Sequence, residues 1–566
     1  MKTIISRIYL IPILIFLYSV LGCSKQKSIK AAVVSAREEA SKIGVEIMRK
    51  GGSAFDAMIA TDLALTVCYP NAGNISGGGF LVYRTSNGKT GSLDYREKAP
   101  IAASRDMYLD TNGNIIPDKS TLGGLAIGVP GTVAGLEAIH KKFGTLPWNE
   151  LVQPAIDLAI NGYVVTEKQE LSFAGKKEDF IKINGQNTFY AQNFSANDTV
   201  KNLALANTLK LIAKHGKAGF YEGTVANDLV DRVQQTGGII SHEDLLSYQP
   251  VWRDPINFQY KDLIIYSMAP PSSGGICLGQ IIKMIEPYNV GAFKHNSMEA
   301  IQIIVEAERR SYADRSLYLG DPDFVNIPQN ELLEEKYLRD RMKSFTFDGA
   351  SKSIDILPGT VSWEESEETT HYSIVDPMGN AVAVTTTLNG SYGSKVFVEK
   401  GGYFLNNEMD DFSSKPGIPN MFGLIGGKAN AISSQKRMLS AMTPTIIEKN
   451  NQLYMILGTP GGSTIITSVL QTILNVYEYN MDIQTAISAP RFHHQWLPDI
   501  ITFEPGKFQK SLFESLQKKG YDIKEEYNRI IGRVDAIKIS DEGIISTGAD
   551  PRGDDKAIHL YKYKKE

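Results

Sequence analysis

A β-hairpin is predicted to begin in the segment EETTHYS, residues 367–373. Residues 371–375 alternate as a strand does, and residues 381–389 (AVAVTTTLN) form a second run rich in β-branched side chains. The five residues between these runs, DPMGN at 376–380, place Pro and Gly for a tight turn. The pattern therefore predicts two antiparallel strands joined by a short loop.

The register of this hairpin follows from the position of the turn. If Met378 is at its centre, opposite residues have numbers that sum to 756, so Thr369 faces Thr387 to within about one residue. Two hydroxyl groups would then meet across one pair of strands. The alternative interpretation is a surface hairpin with a Thr-rich strand and no chemistry.

A threonine at position 369 becomes a nucleophile only if a base removes its proton. The residue's own α-amine can be that base, provided that the chain has been cut directly before it. Residues 362–368 (SWEESEE) are a charged run with the character of an exposed linker, so the Glu368–Thr369 bond is the candidate cleavage site. An α-amine titrates near about pH 7.7–8.0 in model compounds, which suits a general base at neutral pH.

Composition argues against several classes of function. The chain of 566 residues has 42% hydrophobic and 22% charged residues and a formal charge of −4, which argues against nucleic acid or an anionic membrane surface as its partner. The three cysteines, Cys23, Cys68 and Cys277, form neither a CxxC motif nor a cluster with histidine. Neither a disulfide framework nor a zinc site is therefore indicated.

The first 22 residues are predicted to be a signal peptide. Two basic residues precede an almost wholly apolar run at 8–21, which is short for a membrane span. Residues 20–23 (VLGC) resemble a bacterial lipoprotein signal, whose cleavage leaves Cys23 as a lipidated first residue, although an ordinary secretory signal with a chance cysteine is the alternative. We expect a periplasmic enzyme tied to the inner or the outer membrane by its acyl chains, with a short polar tether at 23–30.

Two polar segments are suited to an amino-acid head group. Arg96 lies at the end of a predicted strand, where its guanidinium can bind a carboxylate through two parallel hydrogen bonds; alternatively it is a surface charge that pairs with Asp94 or Glu97. The segment NNEMDDF, residues 406–412, has three acids and two amides, enough to hold an ammonium group. A calcium loop is the alternative for this segment, but the EF-hand spacing is missing.

The segment LGTPGGS, residues 457–463, runs from a predicted strand into a predicted helix. Glycines directly before a helix leave backbone N–H groups pointing outward, with the positive end of the helix dipole behind them, as an oxyanion requires. A plain strand-to-helix turn is the alternative interpretation.

Two other stretches are informative. Residues 415–435 are rich in Gly, Pro, Asn and Ser, which predicts a lid or a disordered segment. His493 and His494 are adjacent, so their side chains should point apart, and no third ligand is near; we therefore do not assign them to a metal site.

Nine segments occur in an order that identifies a family: LDYREKAP, PPSSGG, AERRSYADRSLYLGDPDFV, TTHYSIVD, AVAVTTTLN, LNNEMDDFS, KRMLSAMTPT, GTPGGS and APRFHHQWLPD. Together they resemble the γ-glutamyltranspeptidases (γ-glutamyltransferases), from about Ala31 to the C-terminus. The resemblance implies an α+β fold, the αββα sandwich of N-terminal-nucleophile hydrolases, with two stacked antiparallel sheets between helical layers. It also implies a precursor that cuts itself into a large subunit, residues 23–368, and a small catalytic subunit, residues 369–566. The two subunits would remain together as a heterodimer in one αββα domain.

The resemblance also assigns roles to matching positions. Thr369 would be the nucleophile and its own base, Thr387 the threonine that positions it, and Gly461 and Gly462 the glycines of the oxyanion hole. The residues that would bind the donor around its α-carboxylate and α-amine are Arg96, Asn389, Glu408, Asp411, Ser440 and Gly462.

Three positions depart from the family pattern. Ala441 replaces the second serine of a pair that binds the carboxylate, which removes one hydroxyl donor. A lost hydrogen bond to a charged group costs about 1.5–3 kcal/mol, so donor affinity is expected to be lower. Met438 stands where many relatives have Pro, and Phe422 stands in the lid where an aromatic hydroxyl is common. The loss of the serine affects substrate range and leaves the nucleophile unchanged.

The function expected from the resemblance is that of a γ-glutamyltransferase and glutathione hydrolase that needs no metal and no organic cofactor. Thr369 would attack a γ-glutamyl amide such as glutathione, and water, an amino acid or a dipeptide would resolve the resulting ester. One rival is a related enzyme with another acyl donor, such as a cephalosporin-type acylase or a poly-γ-glutamate-processing enzyme; the lid at 415–435 argues against long polymers, and Arg96 argues for an amino-acid head group. The second rival is an unprocessed, inactive surface binding protein.

Overall fold

The computed structural model describes residues 27–359, 370–415, 421, 428–527 and 530–563. The predicted signal peptide, Cys23, the Glu368–Thr369 bond and Phe422 lie outside these residues. In the part of the chain that is described, no helix is both long enough and apolar enough to cross a membrane.

Twenty strands are present within the described residues. In chain order they are β1 (Lys27–Ser35), β2 (Gly78–Arg84), β3 (Thr90–Asp94), β4 (Tyr163–Val164), β5 (Thr199–Val200), β6 (Val251–Arg253), β7 (Ile256–Tyr260), β8 (Leu263–Ser267), β9 (Thr370–Val375), β10 (Ala381–Thr387), β11 (Phe397–Val398), β12 (Tyr403–Phe404), β13 (Thr445–Lys449), β14 (Gln452–Gly458), β15 (Phe492–His493), β16 (Ile501–Phe503), β17 (Ile523–Glu525), β18 (Asp535–Ile539), β19 (Ile545–Gly548) and β20 (Lys556–Tyr563).

Two antiparallel sheets contain most of these strands. The first has the order β20-β1-β9-β10-β2-β3-β6, and the second has the order β19-β18-β14-β13-β8-β7. Both sheets contain strands from before and after position 369: in the first sheet β9 and β10 lie between β1 and β2, and in the second sheet β13 pairs with β8. The two predicted subunits therefore share both of these large sheets.

The predicted hairpin consists of β9 and β10. Its register runs from Val375 opposite Ala381 to Thr370 opposite Thr386, so the numbers of each pair sum to 756 as predicted. Asp376 stabilises the turn, because its carboxylate accepts hydrogen bonds from two backbone N–H groups of the loop. Short-range turn chemistry thus sets the pairing at the centre of the first sheet.

Sixteen α-helices are present within the described ranges. They are α1 (Glu38–Arg49), α2 (Ala54–Cys68), α3 (Thr132–Phe143), α4 (Trp148–Asn161), α5 (Glu167–Asn184), α6 (Leu203–His215), α7 (Ala218–Tyr221), α8 (Gly223–Gln235), α9 (His242–Ser247), α10 (Gly274–Ile285), α11 (Met298–Tyr318), α12 (Gln329–Leu332), α13 (Glu335–Met342), α14 (Thr464–Tyr477), α15 (Ile483–Ser488) and α16 (Lys510–Lys518).

Helices cover the outer face of each sheet. Along the hairpin, Tyr372 and Val384 belong to a core shared with α1 and α2, whereas Val375 and Ala383 belong to a core shared with the second sheet and with α10, α11 and α14. Successive strand residues point to opposite faces, so every residue of β9 and β10 is buried on one side or the other. The fold is therefore α+β, with the predicted αββα layers.

The helix α2 supports the hairpin from the outer side. Ser53 and Asp56 cap it with two reciprocal hydrogen bonds (Asp56 N–H to Ser53 Oγ, 3.2 Å; Ser53 N–H to Asp56 Oδ2, 2.8 Å). All residues of α2 are buried, including Asp62, which accepts a hydrogen bond from the Tyr372 hydroxyl (2.6 Å). Burial raises the pKa of Asp62 to about 7. A polar contact in an apolar layer thus fixes β9 against its helix.

The predicted polar tether at 23–30 extends too far. β1 begins at Lys27, which pairs with Tyr563, so residues 27–30 belong to the first sheet. Strand pairing uses backbone groups, and β20 supplies an antiparallel partner, with one irregularity between Ile29 and Ala31, for a segment whose side chains alone suggest a linker.

Candidate active site

Thr387 is the last residue of β10 and is buried. Its Oγ1 accepts a hydrogen bond from the backbone N–H of Asn389 (2.7 Å), and its carbonyl accepts one from Nδ2 of Asn74 (2.8 Å). Asn389 has a φ of 69°, and its Nδ2 donates to the carbonyl of Asn407 (3.0 Å). Two predicted site residues, Thr387 and Asn389, are therefore linked directly. Thr369, the predicted nucleophile, lies outside the described residues.

His371 in β9 also belongs to the site, although the spacing of the histidines in the sequence gives no sign of this role. Its Nδ1 lies 3.0 Å from Thr385 Oγ1 and its Nε2 lies 3.0 Å from Ser373 Oγ. Since Ser373 Oγ donates to the carbonyl of Asp535 (3.2 Å), the ring donates through Nε2 and accepts through Nδ1. Burial lowers the pKa of His371 to about 3, so the ring is neutral. The two-residue period of the strand, which puts His371 on the face of Thr385, is the sequence signal for this position.

The same ring packs against the end of β14. A Cβ atom on Gly458 would lie 2.4 Å from Cε1 of His371, so only glycine fits there without a shift of the neighbouring atoms. His371 therefore connects the strand that follows the predicted nucleophile with the strand that leads into the predicted oxyanion turn.

Gly461 and Gly462 form the turn between β14 and α14. Their φ angles are 132° and 61°, both in the region that favours glycine. A Cβ atom on Gly461 would lie 2.5 Å from Thr464 Oγ1 and 3.1 Å from Gly532 Cα. The turn directly precedes the first turn of α14, so its N–H groups lie at the positive end of the helix dipole. This geometry is suited to an anion.

Arg96 lies at the centre of a buried ion cluster with Glu97, Glu408 and Asp411. Its two terminal nitrogens donate to the carboxylates of Glu408 and Asp411, and Nη1 is 3.7 Å from Glu97. None of the four side chains is more than 3% exposed. The interpretation of Arg96 as a surface charge is therefore wrong, because the side chain, which follows the end of β3, is buried against a segment more than 300 residues away in sequence.

In this cluster one guanidinium faces three carboxyl groups. Burial raises the pKa of Glu97 to about 8, an effect that Arg96 opposes, so this carboxyl group is protonated at neutral pH and interacts with the carboxylate of Glu408. Oε2 of Glu408 receives no N–H donor within the described part of the chain. Buried carboxylate oxygens are nearly always hydrogen-bonded, so this acceptor indicates a ligand that brings donors. An ammonium group, with three N–H donors, matches that requirement.

Ser440 lies beside the cluster and is fixed by the PPSSGG loop. Its N–H donates to the carbonyl of Pro271 (2.8 Å), and its carbonyl accepts from the N–H of Ser273 (2.7 Å). The carbonyl of the residue before it accepts from Nη2 of Arg96 (3.2 Å). Ala441 is 2% exposed, so the position at which the family resemblance implies a second serine is enclosed by protein.

The two adjacent histidines point apart, as predicted. Nε2 of His493 is 3.1 Å from Ser463 Oγ, whereas Nε2 of His494 is 3.2 Å from Asp499 Oδ1. They therefore belong to separate hydrogen-bond networks.

Only part of the predicted lid at 415–435 is described. Within that part, Sδ of Met421 lies 3.9 Å from Nδ2 of Asn407, the residue whose carbonyl accepts from Asn389. Met421 thus contacts the loop that carries the acidic residues of the ion cluster.

Comparison with known proteins gives the family. The family model described as gamma-glutamyltranspeptidase matches residues 40–560. The chain belongs to the γ-glutamyltranspeptidase family. It is 42% identical over 527 residues to the glutathione hydrolase proenzyme of Escherichia coli (strain K12), with 92% of this chain and 90% of the relative covered. The crystal structure of Helicobacter pylori γ-glutamyltranspeptidase is 41% identical, with a TM-score of 0.56, and covers 57% of this chain and 94% of that chain.

Membership of the γ-glutamyltranspeptidase family decides between a γ-glutamyltransferase and a related enzyme with another acyl donor. The cephalosporin acylase from Bacillus halodurans matches with a TM-score of 0.83 over 94% of this chain and 96% of that chain, but at 23% identity this likeness shows the fold alone. The family model and the relatives above 40% identity support a γ-glutamyltranspeptidase and do not favour an acylase with another donor. The protein is accordingly an enzyme of this family.

Proposed function

We propose that this member of the γ-glutamyltranspeptidase family is an autoprocessed γ-glutamyltransferase and glutathione hydrolase. The observation that carries the proposal is the buried pairing of Arg96 with Glu408 and Asp411. A γ-glutamyl donor carries a carboxylate and an ammonium group on one carbon atom. When it binds, the carboxylate pairs with Arg96 and the ammonium group pairs with the two acids. Each buried charge of the protein thereby exchanges its protein partner for a charge of the donor. Because the head group of the donor is a zwitterion, it adds no net charge to the buried site, which keeps the cost of desolvation low.

Maturation is proposed to hydrolyse the Glu368–Thr369 bond. One water molecule is consumed, residues 23–368 end in a new carboxylate, and residues 369–566 begin with a new α-amine at Thr369. The Escherichia coli relative is named a proenzyme, which supports this step. The pairing of strands from both subunits within each large sheet would then keep the two subunits together without a covalent link.

In the proposed reaction, Thr369 Oγ attacks the γ-carbonyl carbon while the α-amine takes the hydroxyl proton. The carbonyl oxygen becomes an oxyanion, which the N–H groups of the Gly461–Gly462 turn stabilise. The C–N bond then breaks, the leaving amine receives the proton from the α-ammonium group, and a γ-glutamyl ester remains on Thr369. Water or an acceptor amine attacks this ester in the same way, releasing glutamate or a new γ-glutamyl amide. Thr387 is proposed to orient Thr369 across the hairpin.

We also propose that the protein is a periplasmic lipoprotein anchored through Cys23. The signal-like pattern at 20–23 supports this location. Since β1 begins at Lys27, only residues 24–26 would separate the lipid from the first sheet. A Cys23→Ser variant should move from the membrane fraction to the soluble fraction, and one that stays with the membrane would contradict the anchor.

The proposed function is tested with two isomeric donors, γ-glutamyl and α-glutamyl p-nitroanilide, and the protein purified as residues 23–566. We expect only the γ isomer to be hydrolysed, and glycylglycine to accelerate release of the aniline. The α isomer has no free α-carboxylate, so it offers Arg96 no partner. Hydrolysis of both isomers, or of neither, would contradict the proposal.

Restoring the serine that relatives carry is expected to improve donor binding. The Ala441→Ser variant should lower KM for γ-glutamyl p-nitroanilide about tenfold with kcat within about twofold, because a hydrogen bond to a charged group contributes about 1.5–3 kcal/mol. The measurement is steady-state kinetics of both proteins. A donor without the α-carboxylate, 4-aminobutanoyl p-nitroanilide, should not distinguish them, and equal KM values for the γ-glutamyl donor would show that position 441 does not face the carboxylate.

A further inference from the structure

The oxyanion turn is held by a chain of hydrogen bonds through its carbonyl groups. The carbonyl of Gly461 accepts from Thr464 N–H (3.3 Å) and from Thr464 Oγ1 (2.7 Å), and the carbonyl of Gly462 accepts from Ile465 N–H (2.9 Å). The next carbonyl, that of Ser463, accepts from the hydroxyl of Tyr312. Each of the three peptide units in the turn therefore has its carbonyl oxygen bound to a donor.

The carbonyl and N–H groups of one trans peptide unit point in opposite directions, so a hydrogen bond to one sets the direction of the other. The unit that contains the Ser463 carbonyl also contains Thr464 N–H, which donates to the carbonyl of Gly461. The unit that contains the Gly461 carbonyl also contains Gly462 N–H, one of the donors proposed to face the oxyanion. A bond from Tyr312 to Ser463 is thus transmitted through two peptide units to that donor.

Tyr312 is itself tightly fixed. It is 2% exposed on α11, and its ring lies edge-on to His493, with ring centroids 5.9 Å apart. His493 in turn lies 3.1 Å from Ser463 Oγ and 3.0 Å from Thr467 Oγ1. The hydroxyl of Tyr312 consequently has little freedom to leave the Ser463 carbonyl.

We propose that Tyr312 is a positioning residue for the oxyanion turn. It precedes the proposed cleavage site, so the large subunit would set the geometry of a donor group that the small subunit carries. The inference rests on the proposed function. In this proposal Tyr312 acts through Ser463 on Gly462 N–H and is not itself a group that binds the donor. It therefore influences the stage at which negative charge develops on the carbonyl oxygen, and leaves ground-state binding of the donor at Arg96 unchanged.

The test compares Tyr312→Phe with wild type and with Tyr479→Phe. Tyr479 also donates to a backbone carbonyl, that of Val290 (3.2 Å), at the far end of α14, so its variant controls for the loss of a tyrosine hydroxyl. We expect kcat of Tyr312→Phe for γ-glutamyl p-nitroanilide to fall about tenfold with KM within about twofold, and Tyr479→Phe to match wild type. Losing one oxyanion donor altogether costs about 10²–10³-fold, and a misdirected donor should cost less.

Inhibitors separate a positioning role from a structural one. A boronic acid analogue of glutamate, which forms a tetrahedral adduct with the nucleophile, should bind Tyr312→Phe about tenfold more weakly, whereas glutamate itself should bind both proteins equally. An unchanged kcat and unchanged boronate binding would overturn the inference. A Tyr312→Phe variant that stays uncleaved would also overturn it. The same holds if the melting temperature of the variant falls together with its kcat and its affinity for glutamate, because Tyr312 would then only support the fold. If wild type cleaves no γ-glutamyl amide, the proposed function fails instead, so the two failures are distinguishable.

Discussion

A Thr369→Ala chain, expressed as residues 23–566, is expected to remain one polypeptide of about 60 kDa with no measurable γ-glutamyl transfer. Wild type should instead give two fragments of about 38 kDa and about 22 kDa, in proportion to their 346 and 198 residues. The proposed reaction uses the hydroxyl of Thr369 as its nucleophile, and the α-amine that serves as its base exists only after cleavage. Both maturation and turnover should therefore be lost in one substitution, which intact mass and a donor assay would detect.

Two matched variants define the specificity of this effect. Thr369→Ser keeps a hydroxyl at the proposed nucleophile and should still be cleaved. Thr370→Val changes the neighbouring buried threonine, and the variant should be cleaved and active, because position 370 is not part of the proposed chemistry. Cleavage of Thr369→Ala at the same bond would place the nucleophile elsewhere. If wild type also stays whole, the hairpin serves only as a scaffold and the protein is an unprocessed binding protein.

An Arg96→Lys variant is expected to lose about 100-fold in kcat/KM, mostly through KM, while self-cleavage continues. The guanidinium of Arg96 reaches Glu408 and Asp411 with separate nitrogens and also donates to the carbonyls of Met438 (3.4 Å) and Leu439 (3.2 Å). A lysine ammonium is a single point with three donors and cannot occupy these directions together or bind a carboxylate through two parallel bonds. Hydrogen bonds to charged groups contribute about 1.5–3 kcal/mol each, which corresponds to roughly 10- to 100-fold in affinity. Steady-state kinetics with γ-glutamyl p-nitroanilide measures the change.

The control for this prediction is Arg310→Lys. Arg310 is also buried and paired with a carboxylate, that of Glu306 (2.5 Å), but it lies on α11 outside the ion cluster. Its variant should lower the melting temperature and leave KM unchanged. If Arg96→Lys and wild type have the same KM, the donor's carboxylate binds elsewhere and the proposed exchange of ion pairs is refuted.

The sequence by itself determined the features that depend on neighbouring residues. The Pro and Gly of the turn, together with the two-residue period of its flanking strands, were sufficient to predict the register that pairs Thr370 with Thr386. Two glycines ahead of an apolar helical run likewise predicted the turn at Gly461 and Gly462. These predictions succeed because the hydrogen bonds and backbone angles involved span only a few residues. The order of nine segments supplied the family, which no single local pattern could give.

Local pattern failed where a distant segment completes the structure. Lys27 belongs to a strand because β20, at the other end of the chain, pairs with it. His371 matters because its ring lies between two strands and against Gly458. Arg96 is buried because two acids more than 300 residues later neutralise it.

Tertiary structure alone decided which of these distant groups meet. Arg96 and Glu408 are 312 residues apart in sequence, and Tyr312 and Ser463 are 151 apart. They come together because both stacked sheets contain strands from before and after position 369, and because helices from both parts, such as α11 and α14, pack in the same layer. Strand order is set by the packing of whole layers, in which the burial of apolar faces outweighs local preference. The sequence therefore provides the chemical groups of this site, and the order of its strands brings them within hydrogen-bonding distance.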